Sequence, residues 1–419
     1  MGSRLPKMLA VALSTAFMLP LPVLSEPVLS LMEAERLARI DDPASLRYQE
    51  LAEARREAAI SARQLPDPML IMEVMDVARE GLSIDDDTMT QLRVGVRQTF
   101  PRGDSRRLAS EREGALAMAD AARGSNAEIT AVRAVRRAYL SLYEQRAIRE
   151  VLEKSQTLFE DLRDITEREF ASGFADQQDL LRAELELSRL HDRLLSVQAQ
   201  EAAARAQLAR WVGQDAISRP LAPDLPDLPD LPDMTAPADA LLSHPLLAAE
   251  QALVDAGNHG VELARQGYRP QWSVELTYGT PTERGMDMPD RMSAMVMVDL
   301  PLFTRQRQDR DLSASVHRRE AAQYAWDAQA LELQRQVGET QARWHQLSER
   351  ERQYAERLLP QARENAEAAE HGYRNRTTDF NSFVRARLTE LETHIEAVRI
   401  GSQRRLEQVD LLYLLGENA

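Results

Sequence analysis

Apolar positions along this chain recur with two periods, and the period changes at matching places in its two halves. From Asp104 to about Phe170 there is no proline, and Val132, Val135, Tyr139 and Leu142, then Leu158, Leu162 and Ile165, fall at helical spacing. A helix of that extent is on the order of 100 Å long, well beyond an ordinary globular helix. Gly173 marks a turn, and the returning segment carries Leu180, Ala183, Leu187, Leu190, Leu194 and Val197 at coiled-coil spacing. Val384, Leu388, Leu391, Ile395 and Val398 repeat that stripe near the other end of the chain. An earlier helix is expected over about Glu33–Gln64, closed by Pro66 and Pro68. Between the helical stretches the period drops to two. Strands are predicted over Met69–Val77, Gln91–Phe100, Trp272–Gly279 and Met292–Leu300. The reading is mainly α with a small β part, each half running helix, strand, strand, long helix, helix.

The halves are copies of one another. Pro43, Ala54, Ala62-Arg63-Gln64, Pro68 and Glu73 recur 202 positions later as Pro245, Ala256, Ala264-Arg265-Gln266, Pro270 and Glu275. Phe170, Asp176, Leu208 and Gly213 recur 203 positions later as Tyr373, Asp379, Leu411 and Gly416. Each unit is too long for a stacked solenoid repeat, so a duplicated domain is inferred. Proline at nearly every third position from Pro220 to Asp233 favours an extended crossing between the copies. The expected organisation is a leader at 1–25, a first repeat at 26–213, a linker at 214–243 and a second repeat at 244–419. The leader reading rests on basic Arg4 and Lys7, the apolar run Met8–Leu24, and small Val23 and Ser25 ahead of Glu26. It predicts export.

Composition narrows the function. The residues are 43% hydrophobic, 28% charged and only 5% aromatic, with a net charge of −15. That acidic balance argues against a nucleic-acid partner. There is no cysteine, which removes disulfides, thiolate metal sites and a lipid-anchoring cysteine. No phosphate loop, dinucleotide fingerprint or zinc-protease motif is present, and His191, His317 and His394 lie singly on polar helical stretches. Neither an enzyme nor a cofactor is expected.

The strands carry the functional signal. Leu92, Val94, Val96 and Phe100 alternate with Gln91, Arg93, Gly95, Arg97 and Thr99, and the later strands behave alike. Runs of about nine to eleven residues match tilted strands crossing a bilayer. Four strands cannot close a barrel, and open edges are not tolerated in lipid. Strands of several copies must therefore combine, and three copies leave a lumen where two do not. By alternation Glu73, Arg93, Arg97, Glu275 and Asp299 are the candidate pore-lining residues, with Val94, Val274 and Val296 turned to lipid. Nine of the 15 methionines fall in the hairpin regions: Met69, Met72, Met75, Met89, Met286, Met288, Met292, Met295 and Met297. Thioethers suit soft cations such as Cu(I) or Ag(I), and also fill apolar gaps; Met295 and Met297 are the candidate metal contacts.

With its duplicated halves, proline-bounded hairpins, Phe170-x-x-Gly173-x-x-Asp176-x-x-Asp179-Leu180-Leu181 turn, and Gly213 and Gly416 repeat ends, the chain resembles the TolC-like outer-membrane efflux family. Leu65-Pro66-Asp67-Pro68-Met69 and Gln98-Thr99-Phe100-Pro101-Arg102-Gly103-Asp104-Ser105 look most like its cation-efflux branch, similar to CusC and CzcC. The resemblance implies a homotrimer with a twelve-stranded barrel in the Gram-negative outer membrane and a helical tube in the periplasm. It also implies a periplasmic adaptor and an inner-membrane pump of the resistance-nodulation-division type as partners. Heavy-metal cations are the implied cargo. Hydrophobic drugs or a type I secreted substrate are the alternative cargo, and a pore-less periplasmic scaffold is the alternative role. The far turns are the expected periplasmic gate and adaptor contact, at Gly173, Asp176, Asp179, Arg376, Asp379 and Arg385. In the second turn Asn375 and Arg376 stand where a glycine is usual, and Asn375 is the residue expected to accept a left-handed conformation. Phe380 and Phe383 are the alternative gate residues.

Overall fold

The computed structural model describes residues 28–40, 42–77, 89–231, 241–282 and 289–416. The expected leader, Met286 and Met288 lie outside these residues.

The first half contains α1 (Leu31–Ile40), α2 (Pro43–Arg63), β1 (Met69–Met75), β2 (Gln91–Phe100), α3 (Ser105–Ala171), α4 (Gln177–Val212) and a short α5 (Gln214–Ile217). The second contains α6 (Pro245–Gln266), β3 (Gln271–Pro281), β4 (Arg291–Asp299), α7 (Gln308–Gln353), a π-helical turn (Tyr354–Leu358), α8 (Leu359–Arg374) and α9 (Phe380–Leu414). The start and end of α3 recur, at the same 203-residue offset seen in the sequence, as the start of α7 and the end of α8.

Three differences from the expected elements have local causes. The first helix is two helices, because Pro43 cannot continue a helical ladder and instead starts one, with Asp42 accepting from Ser45 N at 3.0 Å as the cap. Its counterpart His244 caps α6 through Nδ1, which accepts from Leu246 N at 3.2 Å ahead of Pro245. His244 is fully buried against Tyr413, and burial pushes its pKa down. In the second half the long helix is interrupted. Pro360 lacks the N–H that would bond Glu356, and the chain widens into the π turn just before it, Leu359 N bonding to Tyr354 O. Finally, the start of the expected linker is structured. Ala216 and Ile217 of α5 sit in a core, and Leu29 pairs in parallel with Leu221, donating to Pro220 O at 2.9 Å.

The coiled-coil stripes of α4 and α9 pack with Ile148, Leu152, Phe159 and Leu162 of α3 in one core towards the turns. A second core gathers α1, the middle of α3 and the end of α4, and a third joins α6, α7 and α9. Each fully buried Leu or Phe contributes about 2 kcal/mol. These long, thin cores hold two antiparallel helix pairs side by side. Gly213 and Gly416, both at positive φ, end the returning helices at equivalent places. At 1.5 Å per residue, α3 carries its turn about 100 Å from the strands. Among the described residues no helix is long and apolar enough to cross a membrane.

Candidate functional site

The four strands form one antiparallel sheet in the order β1-β2-β3-β4, so the two hairpins meet through β2 and β3, and β1 and β4 are its edges. The register pairs Met69 with Arg97, Arg97 with Glu275 and Glu275 with Met295 across the sheet. Paired residues share a face. Glu73, Arg93, Arg97, Glu275 and Asp299 therefore all lie on one face, with Met69, Met75, Met295 and Met297. Arg291 joins them; the predicted strand began one residue too late to include it. The opposite face is apolar and exposed, carrying Leu70, Met72, Leu92, Val94, Val96, Trp272, Leu276, Tyr278, Met292, Val296 and Val298.

The polar face is the more enclosed, with Gln91, Glu275 and Thr277 buried, and no helix stacks on it to bury them. Long side chains on the face itself contribute to the enclosure, with Arg93 and Gln91 lying over Gly279 and Arg97 over Glu275. Gly95 shows how closely β2 and β3 approach: a Cβ there would lie 2.4 Å from Thr277 Cγ2 and 2.7 Å from Leu276 O. Arg97 donates through Nε and Nη2 to Glu275 Oε2 at 2.8 and 2.6 Å, an ion pair joining the two hairpins. Glu73 sits opposite Arg93 in register, while Arg93 donates to Gln91 Oε1 at 3.4 and 3.3 Å. Asp299 is exposed opposite Gln271.

Aromatic side chains mark both ends of the apolar face. Phe100 and Trp272 stack at 4.3 Å where the strands meet the helices, and Tyr278 donates to Asp290 towards the other end. The six residue steps from Trp272 to Tyr278 span about 20 Å, close to the height of a barrel's lipid-facing band.

At the far turns, Gly173 has φ +78°, and the residue taking the equivalent left-handed conformation is Arg376 at φ +60°, not Asn375. The repeat offset carries this information, since Arg376 is the counterpart of Gly173. The two turns touch. Tyr373 donates to Glu169 Oε2 at 2.5 Å, and the Arg376 guanidinium lies 4.5 Å over the Phe174 ring. Burial and the Glu169 carboxylate both push the Tyr373 pKa up. Asp379 caps α9, accepting from Ser382 N at 2.9 Å and Oγ at 2.6 Å, bonds that hold its pKa down. Asp179 is pushed up, by burial first and then by Asp176, Asp379 and Glu169. Within one copy no ion pair forms between these aspartates and Arg376 or Arg385, and Arg385 is exposed. Phe380 and Phe383 are buried in the core against Tyr373. As gate candidates they are replaced by Phe174, which is 68% exposed at the tip of the first turn. Among the described residues no group of three or more His, Asp or Glu is placed to hold a metal ion.

Residues 236–417 match the family model described as Outer membrane efflux protein. No curated protein matches. Solved structures share the fold over nearly the whole chain. A membrane protein from Pseudomonas aeruginosa superposes with a TM-score of 0.80 at 18% identity, covering 93% of this chain and 90% of that one. The outer membrane protein VceC of Vibrio cholerae gives 0.78 at 16% identity, covering 92% and 96%. CusC gives 0.75 at 15% identity, covering 92% and 91%. The fold is thus the TolC-like α-barrel and β-strand architecture of outer-membrane channels. The likeness to CusC is no greater than that to VceC, so the fold does not single out the cation-efflux branch.

Proposed function

We propose that this chain is the outer-membrane channel of a tripartite efflux system, a passive duct built from three copies. The observation that carries the reading is the sheet: an exposed apolar face bounded by aromatics, a charged concave face, and two unpaired edges. An apolar face of this size is unfavourable in water and favourable in lipid. Unpaired backbone at β1 and β4 is unfavourable in lipid unless another copy completes the ladder. Three sheets of four strands form a twelve-stranded barrel wide enough to leave a lumen. Glu73, Arg93, Arg97, Glu275 and Asp299 then line it, and the two hairpins of long helices continue it through the periplasm. The turns at Gly173, Asp176, Asp179, Arg376, Asp379 and Arg385 form the far mouth, where an adaptor and an inner-membrane pump dock. Heavy-metal cations are the cargo on this reading.

The test is assembly in the outer membrane. Cross-linking of intact membranes should give a three-chain species. Single cysteines at Arg97 and Glu275 should react with a water-soluble thiol reagent, while cysteines at Val94 and Val296 stay shielded. A soluble single-chain species, or the reverse labelling pattern, overturns the reading.

A further inference from the structure

The four connections between strands and helices lie at one level and are tied to one another. Gln98 Nε2 donates to Pro66 O at 2.9 Å and Arg106 Nη1 to Arg63 O at 3.2 Å, joining the first two. Arg102 Nη1 donates to Gly267 O at 2.8 Å, and the Tyr268 hydroxyl donates to Asp309 Oδ1 at 2.7 Å, joining the others. Residues 63–68, 101–107, 267–270 and 299–311, which make up this level, hold eight arginines, five aspartates and no other charged side chain. The local balance is thus +3, in a chain whose net charge is −15. Arg107 and Arg269 share Asp104, at 4.0 and 3.4 Å. Arg305, Arg307 and Arg310 differ from these. All three are exposed, and among the described residues their side chains make no hydrogen bond and no ion pair. Exposed apolar side chains precede them. Leu300 follows β4 and by alternation continues the apolar face past Val298, which pairs with Trp272. Leu302 is exposed, and Phe303 is 91% exposed. The order along the chain is an apolar strand face, three bare apolar side chains, then three free cations.

We propose that Arg305, Arg307 and Arg310, with Leu300, Leu302 and Phe303 before them, form a docking surface for the headgroups of anionic phospholipid. This rests on the channel reading, which puts the strand–helix level at the periplasmic surface of the membrane. The stacked Phe100 and Trp272 sit on the strand side of that level, as aromatics do at a bilayer interface. Apolar side chains just beyond them enter the acyl boundary, and long basic side chains a few residues further on reach the phosphates. A guanidinium is planar and presents several N–H donors, so it grips two oxygens of one phosphate at once. An arginine already paired with a carboxylate would have to give that partner up, and these three have none to give up. Charge complementarity selects the lipid. A phosphatidylglycerol headgroup is net negative and is drawn to the belt, whereas phosphatidylcholine carries a cation of its own. Free phosphate has the same oxygens but no acyl chain for Leu300, Leu302 and Phe303 to hold.

Lipid retention by the purified full-length assembly tests this. The protein in non-ionic detergent is titrated with phosphatidylglycerol or phosphatidylcholine, with and without inorganic phosphate, and bound lipid is counted by native mass spectrometry. The parent should retain phosphatidylglycerol in preference to phosphatidylcholine, and inorganic phosphate should not displace it. Arg305→Gln/Arg307→Gln/Arg310→Gln should bind phosphatidylglycerol roughly tenfold more weakly, and the corresponding triple lysine variant should recover most of that loss. Arg163→Gln/Arg352→Gln/Arg363→Gln removes the same charge towards the far turns and should bind like the parent. Equal binding by the first glutamine variant and the parent overturns the proposal, as does equal loss in the distant variant, equal retention of phosphatidylcholine, or displacement by inorganic phosphate. Dissociation of the first variant into single chains regardless of lipid also overturns it, by placing the three arginines at a contact between copies. Cross-linking and bilayer conductance are measured on the same preparations. A conducting three-chain assembly without lipid preference sinks the docking surface alone, whereas absence of assembly and conductance sinks the channel reading itself.

Discussion

Asp179 shows how a single residue at the far turns bears on stability. Its carboxyl is partly buried beside the acidic groups of Asp176, Asp379 and Glu169, which together raise its pKa. A carboxyl whose folded pKa exceeds its unfolded value binds its proton more readily in the native state. Stability therefore rises as pH falls through the folded value towards about 4, and the penalty is fully present at neutral pH. Asp179→Asn removes that penalty. It should stabilise the fold at pH 7 by less than about 1 kcal/mol, because water screens the site, which raises the thermal midpoint there and flattens the pH dependence just above pH 4. A lower midpoint at pH 7 would show that Asp179 holds a stabilising partner instead. Asp379 behaves oppositely, since its hydrogen bonds to Ser382 favour the charged form.

Among the elements, the sheet carries the most stringent local requirement. Gly95 allows β2 and β3 to approach on the concave face, where any side chain would meet Thr277 and the Leu276 carbonyl. Gly95→Ala must push the strands apart, at about 1–3 kcal/mol. The expected result is a three-chain species that dissociates at lower temperature on electrophoresis, with the helices unchanged by circular dichroism. Unaltered heat resistance would mean that the sheet has slack at this position. Strands and long helices were legible in the sequence because burial imposes a period on them. Gln91–Phe100 was read with its observed ends, and the four faces followed by alternation. Breaks set by backbone chemistry were harder to read. Pro43 looks like any other position in a helical pattern until Asp42 is seen to cap it, and the π turn before Pro360 leaves apolar spacing intact. The left-handed residue is Arg376 and not Asn375, because repeat position outweighs intrinsic tolerance at this turn. A buried capping histidine such as His244 has no periodic signature in the sequence.

For the whole molecule, the question is what holds the far mouth closed. Within one copy the two turns are already joined by Tyr373–Glu169 and by Arg376 over Phe174, so they move as a unit. Phe380 and Phe383 are part of that unit's core and are not free to plug a tube. What remains exposed at the tip is Asp176, Asp379, Arg376, Arg385 and Phe174. Three copies would bring their acidic groups together around one axis, and like charges there repel closure. On the channel reading, Arg376 and Arg385, which make no ion pair with these aspartates in one copy, would supply the compensating charge between copies. Each exposed pair contributes at most about 1 kcal/mol, so a ring of them would hold the mouth shut yet yield to a docking partner. Arg376→Gln together with Arg385→Gln should therefore raise open probability in planar bilayers, while leaving the three-chain species intact. Asp176→Asn alone should have a smaller effect, because it removes repulsion as well as attraction. High salt should shift the parent towards the open level and leave the double variant nearly unchanged, since screening acts only on charges that are present. If the double variant conducts like its parent, charge does not close the mouth. Phe174→Ala then becomes the decisive substitution, because a converging ring of exposed phenylalanines can close a tube without any charge.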